Sequence, residues 1–117
     1  MADREWRERV PQGNPIAIAE VELSREGELR VHPNIPEPQC YEFIWRAAMG
    51  VRWSNECRAL VPYEVGEKSP TWWFFQIRDA VACEYGQTLE LAGGTKWTNV
   101  PPAVRSEIER GVIPDAG

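Results

Sequence analysis

Apolar and polar residues alternate from Ile16 to Ser24. Ala17, Ala19, Val21 and Leu23 fall on one side and Ile18, Glu20 and Glu22 on the other, the two-residue period of a strand. Glu28 to His32 resumes the pattern after Arg25-Glu26-Gly27, a three-residue loop whose glycine suits the left-handed position of a hairpin turn. The pattern selects a register: Leu23 opposite Leu29, Val21 opposite Val31, Glu22 opposite Arg30 and Glu20 opposite His32. A slip of one residue would set apolar against polar on both faces. The expected product is a hairpin whose polar face carries Glu20, Glu22, Arg30 and His32.

Residues 38 to 49 fit two periods. Tyr41, Phe43, Trp45, Ala47 and Met49 alternate like a strand, and Val51 and Trp53 continue the series. Read as a helix, Cys40, Tyr41, Ile44, Trp45, Ala48 and Met49 form one stripe, Glu42 and Arg46 pair at i,i+4, Pro38 sits in the first turn and Gly50 ends it. Arg-Ala-Ala-Met-Gly is a poor strand and a good helix end, so helix is the reading adopted, with strand as its alternative. Cys57 to Tyr63 alternates again, and Pro62 places the end or the edge of a strand there.

Ser69 as N-cap, Pro70 at the first helical position and Gly86 past the end predict a helix over Pro70 to Tyr85, with Trp73, Phe74, Ile77, Val81 and Tyr85 as its core stripe. Thr88 to Leu91 and Thr95 to Thr98 read as a second hairpin around Ala92-Gly93-Gly94, pairing Leu91 with Thr95, Leu89 with Trp97 and Glu90 with Lys96. Pro101-Pro102 opens a short helix to Arg110, with Ala103, Val104 and Ile108 inward and Gly111 as its stop.

The order ββαβαββα predicts an α+β domain over residues 15–111. Its sheet is expected to be antiparallel, with about five strands from two hairpins and a central strand, and two to three helices on one face. Residues 1–14 read as a weakly ordered arm ending in Pro11-Gln-Gly-Asn-Pro15, and residues 112–117 as a tail.

Trp72-Trp73-Phe74-Phe75 cannot all face one core. At 100° per residue Trp72 and Phe75 fall beside Asp79, Ala82 and Cys83, away from the stripe. A second layer of the same domain, an interface between copies of the chain, or a ligand pocket would each account for them.

Composition narrows the partners. At 117 residues, 43% hydrophobic and 26% charged, the chain has the balance of one globular domain rather than of a disordered segment. A net charge of −5 argues against nucleic acid, which requires a surplus of Lys and Arg on one face. The opening Met-Ala-Asp-Arg-Glu-Trp-Arg-Glu-Arg lacks the apolar run of a signal peptide or membrane span, so a cytoplasmic protein without a membrane partner is expected. Cys40, Cys57 and Cys83 are three widely spaced residues with a single histidine, short of a structural zinc set. They read as reduced, mostly buried thiols.

No phosphate loop, dinucleotide fingerprint or nucleophile elbow occurs, so no cofactor, metal or catalytic residue is assigned. Glu20 and His32 form one carboxylate–imidazole pair, the combination that general base catalysis needs, although no nucleophile stands beside it. Such cross-strand pairs are also ordinary solvated-face chemistry, each contributing at most about 1 kcal/mol.

Tyr41-Glu-Phe-Ile-Trp-Arg-Ala-Ala-Met-Gly-Val-Arg-Trp53, and Trp73 through Ile77 to Glu84-Tyr85-Gly86 and Trp97-Thr-Asn-Val-Pro101, resemble proteins encoded by bacterial integron gene cassettes. The resemblance covers about residues 40–110 and rests on aromatic and glycine positions. It implies a mobile bacterial gene and a tendency to self-associate, and it carries over no catalytic residue.

Three functions follow as expectations. The first is a non-enzymatic, self-associating accessory protein that binds a small molecule or a protein, with Trp72 and Phe75 in its contact. The second is a small-molecule enzyme using Glu20 and His32. The third is an acidic inhibitor or immunity-type protein, which would gather its carboxylates on one continuous surface.

Overall fold

The structure, a computed structural model, describes residues 15–111; the arm and tail expected at the two ends lie outside the described residues. Strand β1 (Pro15–Leu23) turns into β2 (Leu29–Pro33). A single 3₁₀ turn (Ile44–Ala47) then leads to β3 (Val51–Ser54) and β4 (Ala59–Pro62). Helix α1 (Pro70–Tyr85), β5 (Thr88–Glu90), β6 (Lys96–Thr98) and helix α2 (Pro102–Arg110) complete the order. The fold is α+β, with six strands in one sheet in the order β3-β4-β2-β1-β5, and β6 also pairing with β1.

The first hairpin adopts the expected register, with Glu20 opposite His32, Val21 opposite Val31, Glu22 opposite Arg30 and Leu23 opposite Leu29. Gly27 takes φ 86°, and Ser24 closes the turn by accepting the Glu28 amide on its Oγ at 3.0 Å. One detail departs from simple alternation. A bulge between Ile18 and Glu20 pairs Ile18 with Pro33, so the inward side shifts by one residue along β1. Ile18 is therefore buried with Val21, while Ala17 and Ala19 are exposed.

The second hairpin does not form, and the sheet is mixed rather than antiparallel. β5 runs parallel to β1 against Pro15–Ala17, and β6 runs parallel to β1 against Glu20–Glu22. The two short strands thus lie end to end along one edge of β1, and Ala92-Gly93-Gly94 belongs to an excursion level with the bulge. Thr95 anchors that excursion, since its Oγ1 donates to the Ile18 carbonyl at 2.7 Å and accepts the Ala92 amide at 2.8 Å. Parallel placement is possible because α1 provides the long connection that a crossover from β4 to β5 needs.

Over residues 38–49 the expected helix shrinks to the 3₁₀ turn, which ends at Ala48 (φ 57°) and Gly50 (φ 75°) in left-handed conformation. The strand alternation of this stretch becomes real only from Val51 onward. Pro62 ends β4, which lies inside the sheet between β2 and β3.

Helix α1 has the expected bounds, and Ser69 Oγ accepts the Trp72 amide at 3.1 Å while Gly86 closes the far end. It packs on the sheet face that carries Val21, Val31 and Leu60, and α2 packs on α1 through Ile108 and a 2.6 Å hydrogen bond from Thr71 Oγ1 to Glu107. This second layer corrects the reading of the aromatic run. Phe75 is 4% exposed, set edge-to-face on Phe74 with ring centroids 5.2 Å apart, and belongs to the core of its own chain. Trp72 is half-buried against Trp73, with the Lys68 ammonium 4.9 Å from its ring. Ala103, expected inward, is exposed. The thiols are less buried than expected: Cys40 and Cys57 are half-buried and Cys83 is exposed. No described helix is long and apolar enough to cross a membrane.

Candidate functional site

The sheet face opposite the helices gathers the polar residues of the first hairpin. Glu20 and Glu22 project from the same side of β1 because they are two residues apart, and the antiparallel register brings His32 and Arg30 beside them. Glu22 does most of the bridging. Its Oε1 lies 3.1 Å from His32 Nε2 and its Oε2 lies 3.7 Å from Arg30 Nη1. Histidine thus takes its carboxylate partner from the diagonal position, not from Glu20 directly opposite.

Glu20 is held from the other side, where Thr98 Oγ1 donates to its Oε2 at 2.6 Å. Arg30 Nε donates to Glu28 at 3.0 Å, a bond that raises the guanidinium above its ordinary pKa, and Glu28 reaches on to Arg52 of β3 at 3.8 Å. The network therefore crosses β6, β1, β2 and β3. Sequence reasoning found its four central members and missed Thr98, Glu28 and Arg52. Thr98 was obscured by the hairpin reading of β5 and β6; Glu28 had a signal in its position two residues before Arg30 on one face.

His32 is 18% and Glu22 25% exposed at their side chains, so both remain reachable from solvent. Glu20 and Glu22 converge with the histidine: one ligand atom from each of Glu20, Glu22 and His32 lies within 4.8 Å of the other two. This trio can hold a proton between Glu22 and His32 or offer one nitrogen and two oxygens to a cation. Carboxylates and guanidiniums alternate along the face, so it does not form the continuous acidic surface that an inhibitor of basic proteins would use.

Two hollows lie elsewhere. An open cleft of about 390 Å³ runs between α1, β5 and α2, lined by Phe75, Leu89 and Ile108 among others. A smaller hollow of about 220 Å³ is lined by Ile35, Cys40, Tyr41, Tyr85 and Gln87. Neither includes Glu20, Glu22 or His32. In the smaller one the hydroxyls are engaged, with Tyr41 donating to Gln87 Oε1 at 2.6 Å and Tyr85 accepting the Phe43 amide at 3.0 Å.

Burial pushes the Tyr41 phenol up to about 12, with the neighbouring Tyr85 as a smaller cause. Tyr41 must stay protonated in the folded chain, so its contribution is complete below the ordinary phenol pKa of 10.0 and lost as pH rises through about 12. A loss on the order of 2 to 3 kcal/mol is expected across that window. Alkaline denaturation followed by phenolate absorbance checks it, and Tyr41→Phe should flatten the dependence.

Comparison with known proteins gives one consistent result. The family model described as Integron Cassette Protein Hfx_Cass5 matches residues 14–95, more than two thirds of the chain. A solved structure described as Integron Cassette Protein Hfx_Cass5, from the mobile metagenome of the North West Arm Sewage Outfall, is similar at 32% identity. The match covers 81% of this chain and 92% of that one, with a TM-score of 0.39. No curated protein matches. The family model covers more than half of the chain, and the chain belongs to the Hfx_Cass5 integron cassette proteins.

Proposed function

We propose that the protein is a non-enzymatic accessory protein that works by self-association, and that the contact between copies carries Phe43 and Trp45. One observation supports this most. In a described chain whose core takes in Trp73, Phe74 and Phe75, the large hydrophobic side chains left outside are Phe43 at 43% exposure, Trp45 at 52% and Tyr63 at 58%. Phe43 and Trp45 share one guanidinium, since Arg46 stands 4.6 Å from the first ring centroid and 5.6 Å from the second. Aromatic residues with arginine are the composition of energetically dominant interface positions. A second copy is the natural occupant because a two-fold contact uses each aromatic twice. The 3₁₀ turn also packs beside β3, which among the described residues is an edge strand paired only with β4, so a contact there would protect the edge as well.

The interface expected at Trp72 and Phe75 is replaced by this one, because Phe75 is core. The enzymatic reading has less support, because neither of the two hollows described above takes in the Glu22–His32 pair.

Light scattering or sedimentation of the pure chain is the test. The unmodified chain is expected to be a dimer or larger, and Phe43→Glu with Trp45→Glu to be a folded monomer. Removing each buried aromatic should weaken association by about 1.5 to 3 kcal/mol, roughly ten- to a hundredfold. An unmodified chain that stays monomeric at its solubility limit, or a double variant with unchanged mass, overturns the reading.

A further inference from the structure

The geometry points to a divalent transition-metal site at Glu20, Glu22 and His32, independent of the aromatic contact and on the opposite side of the sheet from the helices. The donor set is one imidazole nitrogen and two carboxylate oxygens, a combination that suits Zn²⁺ and its first-row neighbours better than Mg²⁺ or Ca²⁺, which prefer oxygen alone. All three side chains project from paired strands, so backbone hydrogen bonding fixes their Cβ positions. Three protein ligands on an open face leave further coordination positions for water or an anionic ligand.

Distances and charge both allow it. Ligand atoms around a tetrahedral Zn²⁺ with bonds near 2.0 to 2.2 Å lie roughly 3.3 to 3.6 Å apart. His32 Nε2 and Glu22 Oε1 are already 3.1 Å apart, and the whole trio falls within 4.8 Å, so closing on an ion takes a small rotation of the Glu20 carboxylate. Thr98 holds one oxygen of Glu20 at 2.6 Å and leaves the other free to ligate, the kind of outer support that orients metal ligands. Arg30 does not oppose the cation alone, because Glu28 engages its guanidinium at 3.0 Å. The two carboxylates then match the charge of the ion. Binding replaces the Glu22–His32 hydrogen bond and draws on the Nε2 lone pair.

The test uses the full chain after chelator treatment, titrated with ZnCl₂ by calorimetry while the resonances of its only histidine are followed by NMR. Cys40→Ser/Cys57→Ser/Cys83→Ser serves as a second background, because free thiols also bind zinc. Expected are one zinc per chain in both backgrounds, a shifted His32 signal, no response to MgCl₂, and at least about tenfold weaker binding in Glu20→Gln and in His32→Ala. Thr98→Val should weaken binding while leaving the circular dichroism unchanged. No saturable binding, or binding that survives His32→Ala and disappears with the cysteines, overturns the site.

Discussion

Phe75→Lys is expected to leave no cooperatively folded chain. Truncating a buried phenylalanine costs about 3 to 5 kcal/mol, and an unpaired ammonium in the same space adds a desolvation cost, against a total stability of roughly 5 to 15 kcal/mol. Phe75 touches Phe74 edge-to-face and lines the cleft between α1, β5 and α2, so the loss falls where both helices meet the sheet. Circular dichroism melts check it: Phe75→Lys should show no transition, and Phe75→Ala a transition lowered by the cavity cost. Arg78 bears on the interpretation, because its guanidinium covers the ring at 4.7 Å and would lose that partner too. A Phe75→Lys chain with unmodified stability and reduced mass would show instead that the ring belongs to an interface.

Thr95→Val is expected to cost about 1 to 3 kcal/mol although it changes no volume, since it strips the partner from the buried Ile18 carbonyl, the cost of one buried unpaired group, and frees the more exposed Ala92 amide to water. Thr95 is 8% exposed, and its hydroxyl is the partner of both the Ile18 carbonyl and the Ala92 amide. Thr95→Ser keeps the hydroxyl and should recover most of the loss. Denaturant midpoints measure the effect, and faster hydrogen exchange at the Ala92 amide would localise it. Equal midpoints for all three chains would mean that the excursion between β5 and β6 is held by something else.

These two residues mark where the sequence was legible and where it was not. The Glu20–His32 register could be read because both faces of the hairpin carry a pattern that one slip would ruin. So could α1, whose cap residues are local signals. Phe75 could not be placed, since the angle around one helix says nothing about a second helix covering its far side. The parallel strands were hidden for a similar reason. Ala92-Gly93-Gly94 is a good turn locally, and only contact with β1, distant in sequence, decides that the segments before and after it align with β1 and not with each other.

Residues 38–49 satisfied two periods at once, and both gave way to left-handed Ala48 and Gly50. At the polar face, Glu20, Glu22, Arg30 and His32 were readable as neighbours. The diagonal Glu22–His32 bond and the support from Thr98 were not, because they depend on rotamers and on β6.

The bulge in β1 has a consequence for how the chain acquires its structure. One edge of β1 is satisfied within a few residues by β2, at the low entropic cost of a short loop. The other waits for β6, reached by the Thr95–Ile18 bond across 77 residues of chain. During synthesis β1 emerges well before β5 and β6, so its second side stays open until those strands have been translated. Hydrogen bonds of the 15–17 and 20–22 ladders should be late events in refolding, formed after the β1–β2 turn and after α1 has crossed the sheet. The interval before that closure is when copies of the chain are most exposed to pairing with one another in the wrong place.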